Sequence, residues 1–283
     1  MDKNKHKKLE GGKQCRKCPG ENAESSPLIS IITAVYNGSS TIEETIKSVS
    51  AQNYKNYEYI IIDGGSTDGT LDILKKHNGE IDYWVSEPDK GVYDAFNKGI
   101  DLARGEWLYF LGADDRLFDD SVLGKFFTKP IDSEFLYGNV FWGEDGEIVP
   151  GKFFPTKFYH QNICQQAIFY HKKLFERLGK FDLKYRLVAD WVFNMKAFGL
   201  KSTRPVYFDT IIAVYSLDGM STHVPDKDFS ASRERLFREA FGIPFYLKFK
   251  ISGAMGRLFR RFLKFLTLAR RKGTDLFGPT CGM

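Results

Sequence analysis

The chain has 283 residues, of which 42% are hydrophobic and 15% aromatic, and its formal net charge is +5. This composition supports a packed core and excludes a wholly disordered protein. The charge is uneven, because nine lysines and arginines and no acid lie between residues 244 and 272, so the remainder of the chain carries a net charge of −4. A mildly acidic body argues against nucleic acid as the main partner, since binding a phosphate backbone requires a basic face.

The cysteines and the start of the chain narrow the class of protein further. The four cysteines are scattered, unlike those of a disulfide framework, and Cys15 with Cys18 forms only half of a zinc site. Residues 1–8 are charged without a following apolar stretch, so they do not predict a secretory signal. No run approaches the ~18–20 apolar residues of a membrane-spanning helix. We therefore expect the protein on the cytosolic side.

The chain divides into three parts by composition. Residues 1–26 are polar and rich in lysine and glycine, which predicts a flexible leader. Residues 27–220 are predicted to form one α/β domain, with a change of pattern after residue 115. Residues 221–283 form a basic C-terminal region.

Strand and helix patterns alternate from residue 28 to about residue 111. The predicted elements, in chain order, are strand 28–34, helix 41–51, strand 59–62, helix 68–77, strand 81–85, helix 92–103 and strand 107–111. Such alternation indicates βαβ units and a parallel sheet. Beyond residue 115 the predicted elements are strand 135–142, an irregular aromatic section, helices 172–178 and 188–198, and strands 205–208 and 211–216.

Three of these strands end in short polar side chains, acids or glycines. The strand ends are followed by Tyr36-Asn37, by residues 63–69 and by Asp114-Asp115. In open α/β sheets ligands bind beyond the carboxyl ends of the strands, so these loops are expected to converge on one site. Acids and glycines gathered there suit a phosphate ligand bound through a metal ion.

Each segment also has an ordinary structural interpretation. Asp114 and Asp115 suit Mg²⁺ or Mn²⁺ as well as they suit a turn with a helix N-cap. Residues 63–69 let the backbone approach a ligand, or form a tight loop with a capping cluster. Asp94 and Asn97 lie on adjacent turns of one predicted helix, within reach of one ligand or on a solvated face.

Taken together, the segments resemble bacterial family 2 glycosyltransferases, the inverting nucleotide-sugar enzymes of the GT-A fold. The resemblance covers roughly residues 27–200 and is closest to the branch that builds surface polysaccharides and lipid-linked oligosaccharides. The matching stretches are 29–37, 50–52, 60–70, 84–99, 103–107, 113–115, 166–169, 178–182 and 188–191. It implies an α/β, Rossmann-like GT-A domain with a mostly parallel central sheet flanked by helices. Beyond the matched stretch, the residue pattern itself predicts a C-terminal amphipathic helical tail.

The resemblance also implies roles for individual residues. Residues 27–115 would be the nucleotide-binding half and residues 116–220 the acceptor half. Asp115, with Asp114, would coordinate Mn²⁺ or Mg²⁺ on the diphosphate. Asp190 matches the catalytic base, with apolar neighbours that would raise its pKa, although it could instead cap its helix. The residues expected to bind the sugar donor are Thr33, Ala34, Tyr36, Asp63, Gly64, Asp94, Asn97 and Asp114.

Three positions depart from the family pattern. Many relatives carry an acid where this chain has Gly64, and another where it has Gly112. The first departure leaves open which group meets the nucleotide base. Gln165 stands where relatives often have a histidine, which leaves the acceptor contacts open.

The implied reaction transfers a sugar from a nucleotide sugar, expected to be a UDP-sugar, to a hydroxyl of a lipid-linked or saccharide acceptor. One alternative is a nucleotidyltransferase, which would carry a glycine-rich basic loop after the first strand that residues 35–40 lack. Another is a non-catalytic nucleotide-sugar-binding scaffold, against which the retained Asp114, Asp115 and Asp190 count.

The C-terminal region separates into two faces on a helical wheel. Residues 251–272 have apolar residues on one side and basic residues on the other. Such a pattern predicts that residues 250–272 bind an anionic membrane surface, on the cytosolic face of the inner membrane. The alternative is that the apolar side packs on the body of the protein.

Overall fold

The computed structural model describes residues 8–13, 29–143, 146–149, 151–216 and 226–252. The strands are β1 (Leu9–Gly11), β2 (Ile29–Val35), β3 (Tyr57–Asp63), β4 (Tyr83–Ser86), β5 (Trp107–Gly112), β6 (Arg116–Leu117), β7 (Phe135–Trp142), β8 (Ile148–Val149), β9 (Ile168–His171) and β10 (Val206–Tyr215). The helices are α1 (Ile42–Ser50), α2 (Thr70–Lys76), α3 (Val92–Leu102), α4 (Val122–Phe127), α5 (Lys173–Leu178), α6 (Ala189–Gly199) and α7 (Lys227–Phe241). Residues Pro155–Tyr159 and Gln165–Ala167 form short 3₁₀ turns.

All of these strands join one sheet in the order β1-β4-β3-β2-β5-β9-β7-β10-β6, with β8 paired to β7. The run β4-β3-β2-β5 is parallel, as the alternation of elements predicted. Beyond β5 the sheet is mixed, because β9 pairs antiparallel with both β5 and β7. The predicted α/β fold is confirmed, and β9 makes the two halves of the domain one continuous sheet.

The central strands β2 and β3 are buried along nearly their whole length because both of their faces are covered. In β3, Ile60, Ile61 and Ile62 are 2%, 0% and 0% exposed. This is the pattern of a parallel strand with helices on both sides. Helix α3 packs closely on β2, since a Cβ on Gly99 would lie only 2.3 Å from Cγ2 of Ile32. Glycine at this position therefore sets how near α3 lies to the sheet.

A cluster of aromatic rings joins the helices of the site to the sheet. Phe110 of β5 makes edge contacts with Phe96 of α3 and with Phe175 of α5, at centroid distances of 5.0 and 5.8 Å. Phe175 stacks on Phe193 of α6 at 4.3 Å. Such ring pairs add to the free energy of burial and restrict geometry. The cluster thus holds α3 and α6 in a fixed relation to the end of β5.

Three predictions about elements need correction. The leader is not flexible throughout, because β1 pairs antiparallel with β4, with Glu10 opposite Val85. The remaining leader residues, Cys15 and Cys18 included, lie outside the described residues. The predicted strands 205–208 and 211–216 are one strand, β10, with two register shifts. Strands β6 and β9 and helix α4 were missed, since short elements carry too little periodicity to be recognised.

The first part of the C-terminal region packs on the body. Helix α7 buries three side chains in the core: Phe229, Leu236 and Phe237. Residues 243–252 are helical, and the predicted amphipathic segment lies largely beyond them, outside the described residues. Among the helices that the structure describes, none combines the length and the apolar character needed to cross a bilayer.

Candidate active site

The carboxyl ends of β2, β3 and β5 lie side by side, as the sequence predicted. Ala34 is opposite both Ile62 and Gly112, and Val35 is opposite Asp63. The loops that follow these strands therefore leave the sheet at one edge, where open α/β sheets bind ligands.

Asp63 organises the loop that follows β3. Its carboxylate is fully buried, and its Oδ2 accepts hydrogen bonds from the Ser86 hydroxyl at 2.5 Å and from the N–H groups of Gly65 and Ser66 at 3.1 and 3.0 Å. Its Oδ1 accepts a bond from the Ser66 hydroxyl. Since a carboxylate accepts about four hydrogen bonds, these four donors occupy its acceptor positions. These bonds give Asp63 a structural role in shaping the loop, and its contact with the sugar donor stays a prediction.

The end of β2 offers a ligand one exposed side chain. Thr33 is fully buried with its hydroxyl 3.1 Å from that of Tyr59, so the predicted contact of this residue with the sugar donor would have to use its backbone. Ala34 is half-buried. Tyr36 is 66% exposed, which leaves its ring open to a planar ligand.

Asn97 and Asp94 of α3 were predicted to face the sugar donor, and their side chains make different contacts. Asn97 donates to the Phe181 carbonyl at 2.8 Å and accepts from the Phe181 N–H at 3.0 Å, so its amide holds that loop instead. Asp94 is half-buried and accepts a 3.0 Å bond from the Lys90 N–H. The contact of Asp94 with the sugar donor stays a prediction.

Asp115 is a buried acid at the end of β5, only 2% exposed. Its Oδ1 accepts a 2.9 Å bond from the Ser216 N–H, and its Oδ2 accepts a 2.6 Å bond from the Gln166 amide. Burial, and then the negative charge of neighbouring Asp114, raise the pKa of Asp115 to about 7. Asp114 itself is exposed.

The two acids converge over Gly112. A Cβ on Gly112 would lie 2.5 Å from Oδ2 of Asp115 and 2.9 Å from Oδ1 of Asp114. The two carboxylate oxygens thus lie where a side chain of residue 112 would begin. In the part of the chain that the structure describes, no group of three or more His, Cys, Asp or Glu side chains is arranged to hold a metal ion.

Asp190 lies in the first turn of α6 and is 8% exposed. Its Oδ1 accepts a 2.6 Å bond from the Tyr93 hydroxyl, and its Oδ2 accepts a 2.6 Å bond from the Asn162 amide. Burial raises the pKa of Asp190, and the hydrogen bonds from Tyr93, Asn162 and the adjacent backbone oppose that rise only in part. Val188, not Asp190, is the N-cap of α6, which removes the capping interpretation.

Sequence reasoning missed the two residues that hold Asp190. Tyr93 lies in residues 84–99, one of the stretches that resemble the family, and this resemblance could have pointed to a role for Tyr93. Asn162 lies in the irregular aromatic section, where no sequence pattern indicated a functional role. The side-chain oxygen of Asn162 accepts a 3.0 Å hydrogen bond from the Asn194 amide. The side-chain oxygen of Asn194 in turn accepts a 2.8 Å bond from the Tyr170 hydroxyl. A buried polar chain therefore fixes the Asp190 carboxylate.

A cavity of about 250 Å³ lies beside Asp190 and extends to the residue that binds Asp115. Both Asp190 and Gln166 line it, and Gln166 is the residue bonded to Asp115. The Cys164 thiol also lines the cavity, and its pKa is raised by burial and then by the charges of Asp115 and Asp190. One thiol within electrostatic range of both carboxylates indicates that the two acids lie near the same space.

Comparison with known proteins identifies the family. A profile of Glycosyl transferase family 2 matches residues 30–178. The chain belongs to this family. A glycosyltransferase of PGL/p-HBAD biosynthesis from Mycobacterium bovis is 36% identical over 213 residues, which cover 72% of this chain and 83% of that protein. The putative teichuronic acid biosynthesis glycosyltransferase TuaG of Bacillus subtilis is 39% identical over 100 residues, 34% of this chain and 39% of TuaG.

Solved structures share the fold of this family 2 glycosyltransferase. S. aureus TarS 1–349, in complex with UDP-GlcNAc, aligns with a TM-score of 0.59 at 20% identity, over 75% of this chain and 66% of that chain. The mannosyltransferase PcManGT from Pyrobaculum calidifontis, in complex with GDP-Man and Mn²⁺, aligns with a TM-score of 0.56 at 17% identity, over 92% and 87%. The predicted family is confirmed, and the nucleotidyltransferase alternative is wrong.

Proposed function

We propose that this family 2 glycosyltransferase transfers a sugar from a UDP-sugar to a hydroxyl group of a lipid-linked or saccharide acceptor, with inversion at the anomeric carbon. The observation that carries the proposal is a cavity lined both by Asp190, a buried carboxylate, and by Gln166, whose amide donates to Asp115. The UDP-sugar in the TarS structure supports the class of sugar donor. The names of the M. bovis and B. subtilis relatives support a cell-surface glycan as product.

Asp190 has the properties of a general base for this reaction. The bonds from Tyr93 and Asn162 hold the carboxylate where it lines the cavity, which is the space that the acceptor hydroxyl would enter. Burial raises its pKa, which strengthens it as a base compared with an exposed aspartate. The acceptor oxygen attacks the anomeric carbon on the face opposite the nucleotide. Its proton passes to Asp190 as the bond to the diphosphate oxygen breaks.

Asp115 and Asp114 are the residues that would hold Mn²⁺ or Mg²⁺. Their oxygens converge over Gly112, and two carboxylates suit an ion that takes its other ligands from phosphate oxygens and water. The raised pKa of Asp115 reflects burial and repulsion by Asp114, which a cation would relieve. Bound there, the ion would stabilise negative charge on the leaving diphosphate. The Mn²⁺ in the PcManGT structure supports this assignment.

We also propose peripheral attachment to an anionic membrane, on the cytosolic face of the inner membrane. Ile243, Leu247 and Ile251 are 60%, 52% and 61% exposed, and their spacing places them along one side of the helix 243–252. Phe245 and Phe249 pack against the core instead. An exposed apolar stripe that leads into the basic sequence 250–272 fits the interface of an anionic bilayer.

A transfer assay with Asp190→Asn tests the proposed function. A thermal-shift screen of UDP-, GDP- and dTDP-sugars, with and without Mn²⁺, first identifies the sugar donor. Asp190→Asn should then lower transfer by about 10²–10⁴-fold while binding of the sugar donor persists, because only the proton acceptor is lost. Asp72→Asn is the control, since that side chain is 83% exposed on α2. A variant of Asp190 that retains most of its turnover would contradict the proposal.

A further inference from the structure

Gly64 is a glycine for reasons of space. Its φ angle is not positive, so the backbone conformation does not require glycine there. A Cβ on Gly64, however, would lie 2.7 Å from Oδ2 of Asp89, closer than Cβ atoms approach in real structures. The Asp89 carboxylate therefore occupies the position where a side chain of residue 64 would begin.

Asp89 has one carboxylate oxygen fixed and one available. Its Oδ1 accepts a 2.8 Å hydrogen bond from the N–H of Gly91. Within the described part of the chain, its Oδ2 accepts no hydrogen bond. The side chain is only half-buried, so this oxygen remains accessible to a ligand. Nearby Asp63 differs, because four donors already surround its carboxylate.

The ring of Tyr36 borders the same space. Its Cδ2 lies 3.3 Å from the Cβ position on Gly64, and the side chain is 66% exposed. An exposed aromatic face thus lies next to an available acceptor oxygen, over a residue without a side chain. This combination fits a planar heterocycle that stacks on the ring and presents an N–H group at its edge.

We propose that Asp89 is the carboxylate that recognises the nucleobase of the sugar donor, with the base stacked on Tyr36 and its ring N–H bonded to Oδ2 of Asp89. The inference rests on the proposed function, since it assigns a residue to the nucleotide of that reaction. Uracil fits best, because the N3–H is the only N–H group of the base and meets the single available oxygen, whereas guanine presents an amino group beside its ring N–H. Cytosine has an acceptor at N3 and would face the carboxylate without a hydrogen bond.

The Asp89→Asn variant should change which nucleobase the protein prefers. The Gly91 N–H selects the amide oxygen at the Oδ1 position, so the amide NH₂ group takes the Oδ2 position. A donor there opposes the N3–H of uracil and matches the N3 acceptor of cytosine. We expect the affinity for UDP to fall about 10–100-fold and the ratio of UDP to CDP affinity to fall by at least about tenfold.

Isothermal titration with UDP, CDP and GDP measures these affinities in the wild type, in Asp89→Asn and in the exposed control Asp72→Asn. Gly64→Ala is a second variant, because its Cβ displaces the Asp89 carboxylate and should weaken UDP binding without removing an acid. An unchanged ratio of UDP to CDP affinity in Asp89→Asn would overturn the inference, as would a wild type that prefers GDP. A wild type that binds no nucleoside diphosphate would instead count against the proposed function.

Discussion

The side-chain amide of Gln166 donates a 2.6 Å hydrogen bond to the carboxylate of Asp115, across 51 positions of the chain. The bond ties the end of β5 to the turn that precedes β9. Since Gln166 also lines the cavity of Asp190, it links the acid pair to the proposed base. A partner of this kind orients a metal ligand and affects how tightly the metal binds.

Replacing Gln166 should weaken metal binding. Gln166→Leu keeps much of the side-chain volume but removes the bond to Asp115, so the affinity for Mn²⁺ should fall about 10–100-fold. Titration of Mn²⁺ in the presence of UDP measures this change. Gln161→Leu is a matched control, since Gln161 is exposed. Equal Mn²⁺ affinity in both variants would show that Gln166 does not support the metal site.

Metal binding should depend on pH through Asp115. Its pKa is raised from 3.8 to about 7, so between these values the folded state without metal holds a proton that the unfolded state has lost. The contribution of Asp115 to stability therefore declines as pH rises towards 7, and bound Mn²⁺ must displace that proton. We expect a larger Mn²⁺-induced rise in Tm at about pH 8 than at about pH 6. Asp115→Asn should abolish this difference, and a difference that persists would contradict the assignment.

Tyr93→Phe tests how Asp190 is held. The Tyr93 hydroxyl lowers the pKa of Asp190, so its removal should raise that pKa further. Because a base must be deprotonated, the acid limb of the kcat/KM profile should shift to higher pH, and turnover near neutrality should fall about tenfold. Binding of the sugar donor should not change. Tyr83→Phe, which removes a hydroxyl bonded to Glu10 at the far edge of the sheet, is the control. An unshifted profile would exclude the positioning role.

The exposed stripe of the last described helix should matter for membranes and not for folding. Changing Ile243, Leu247 and Ile251 together to serine should weaken binding to vesicles with anionic lipid by at least about tenfold, with little change in Tm. Phe249→Ser should lower Tm instead, because Phe249 packs on the core. Vesicle co-sedimentation and thermal unfolding separate the two effects. Vesicle binding that the triple variant leaves intact would refute attachment through this stripe.

Much of the fold could be predicted from the sequence, because it depends on local patterns. The alternation of apolar strands and amphipathic helices predicted the parallel run β4-β3-β2-β5 and the edge at which Asp63 and Asp115 emerge. The motifs also predicted Asp190 as the candidate base. Short elements such as β9 escaped, although β9 is the strand that joins the two halves of the sheet.

The sequence by itself determined which acids stand at strand ends, but only the tertiary structure decided which of them a ligand can use. Asp63 is filled by donors that include Ser86 from the neighbouring strand, whereas Asp89 keeps one oxygen available beside Tyr36. Asn97 is occupied by the backbone of Phe181, 84 positions away. The periodicity of apolar residues indicates whether a segment is a helix or a strand. The hydrogen-bond donors that occupy a carboxylate or amide, however, come from distant segments that meet only when the chain folds.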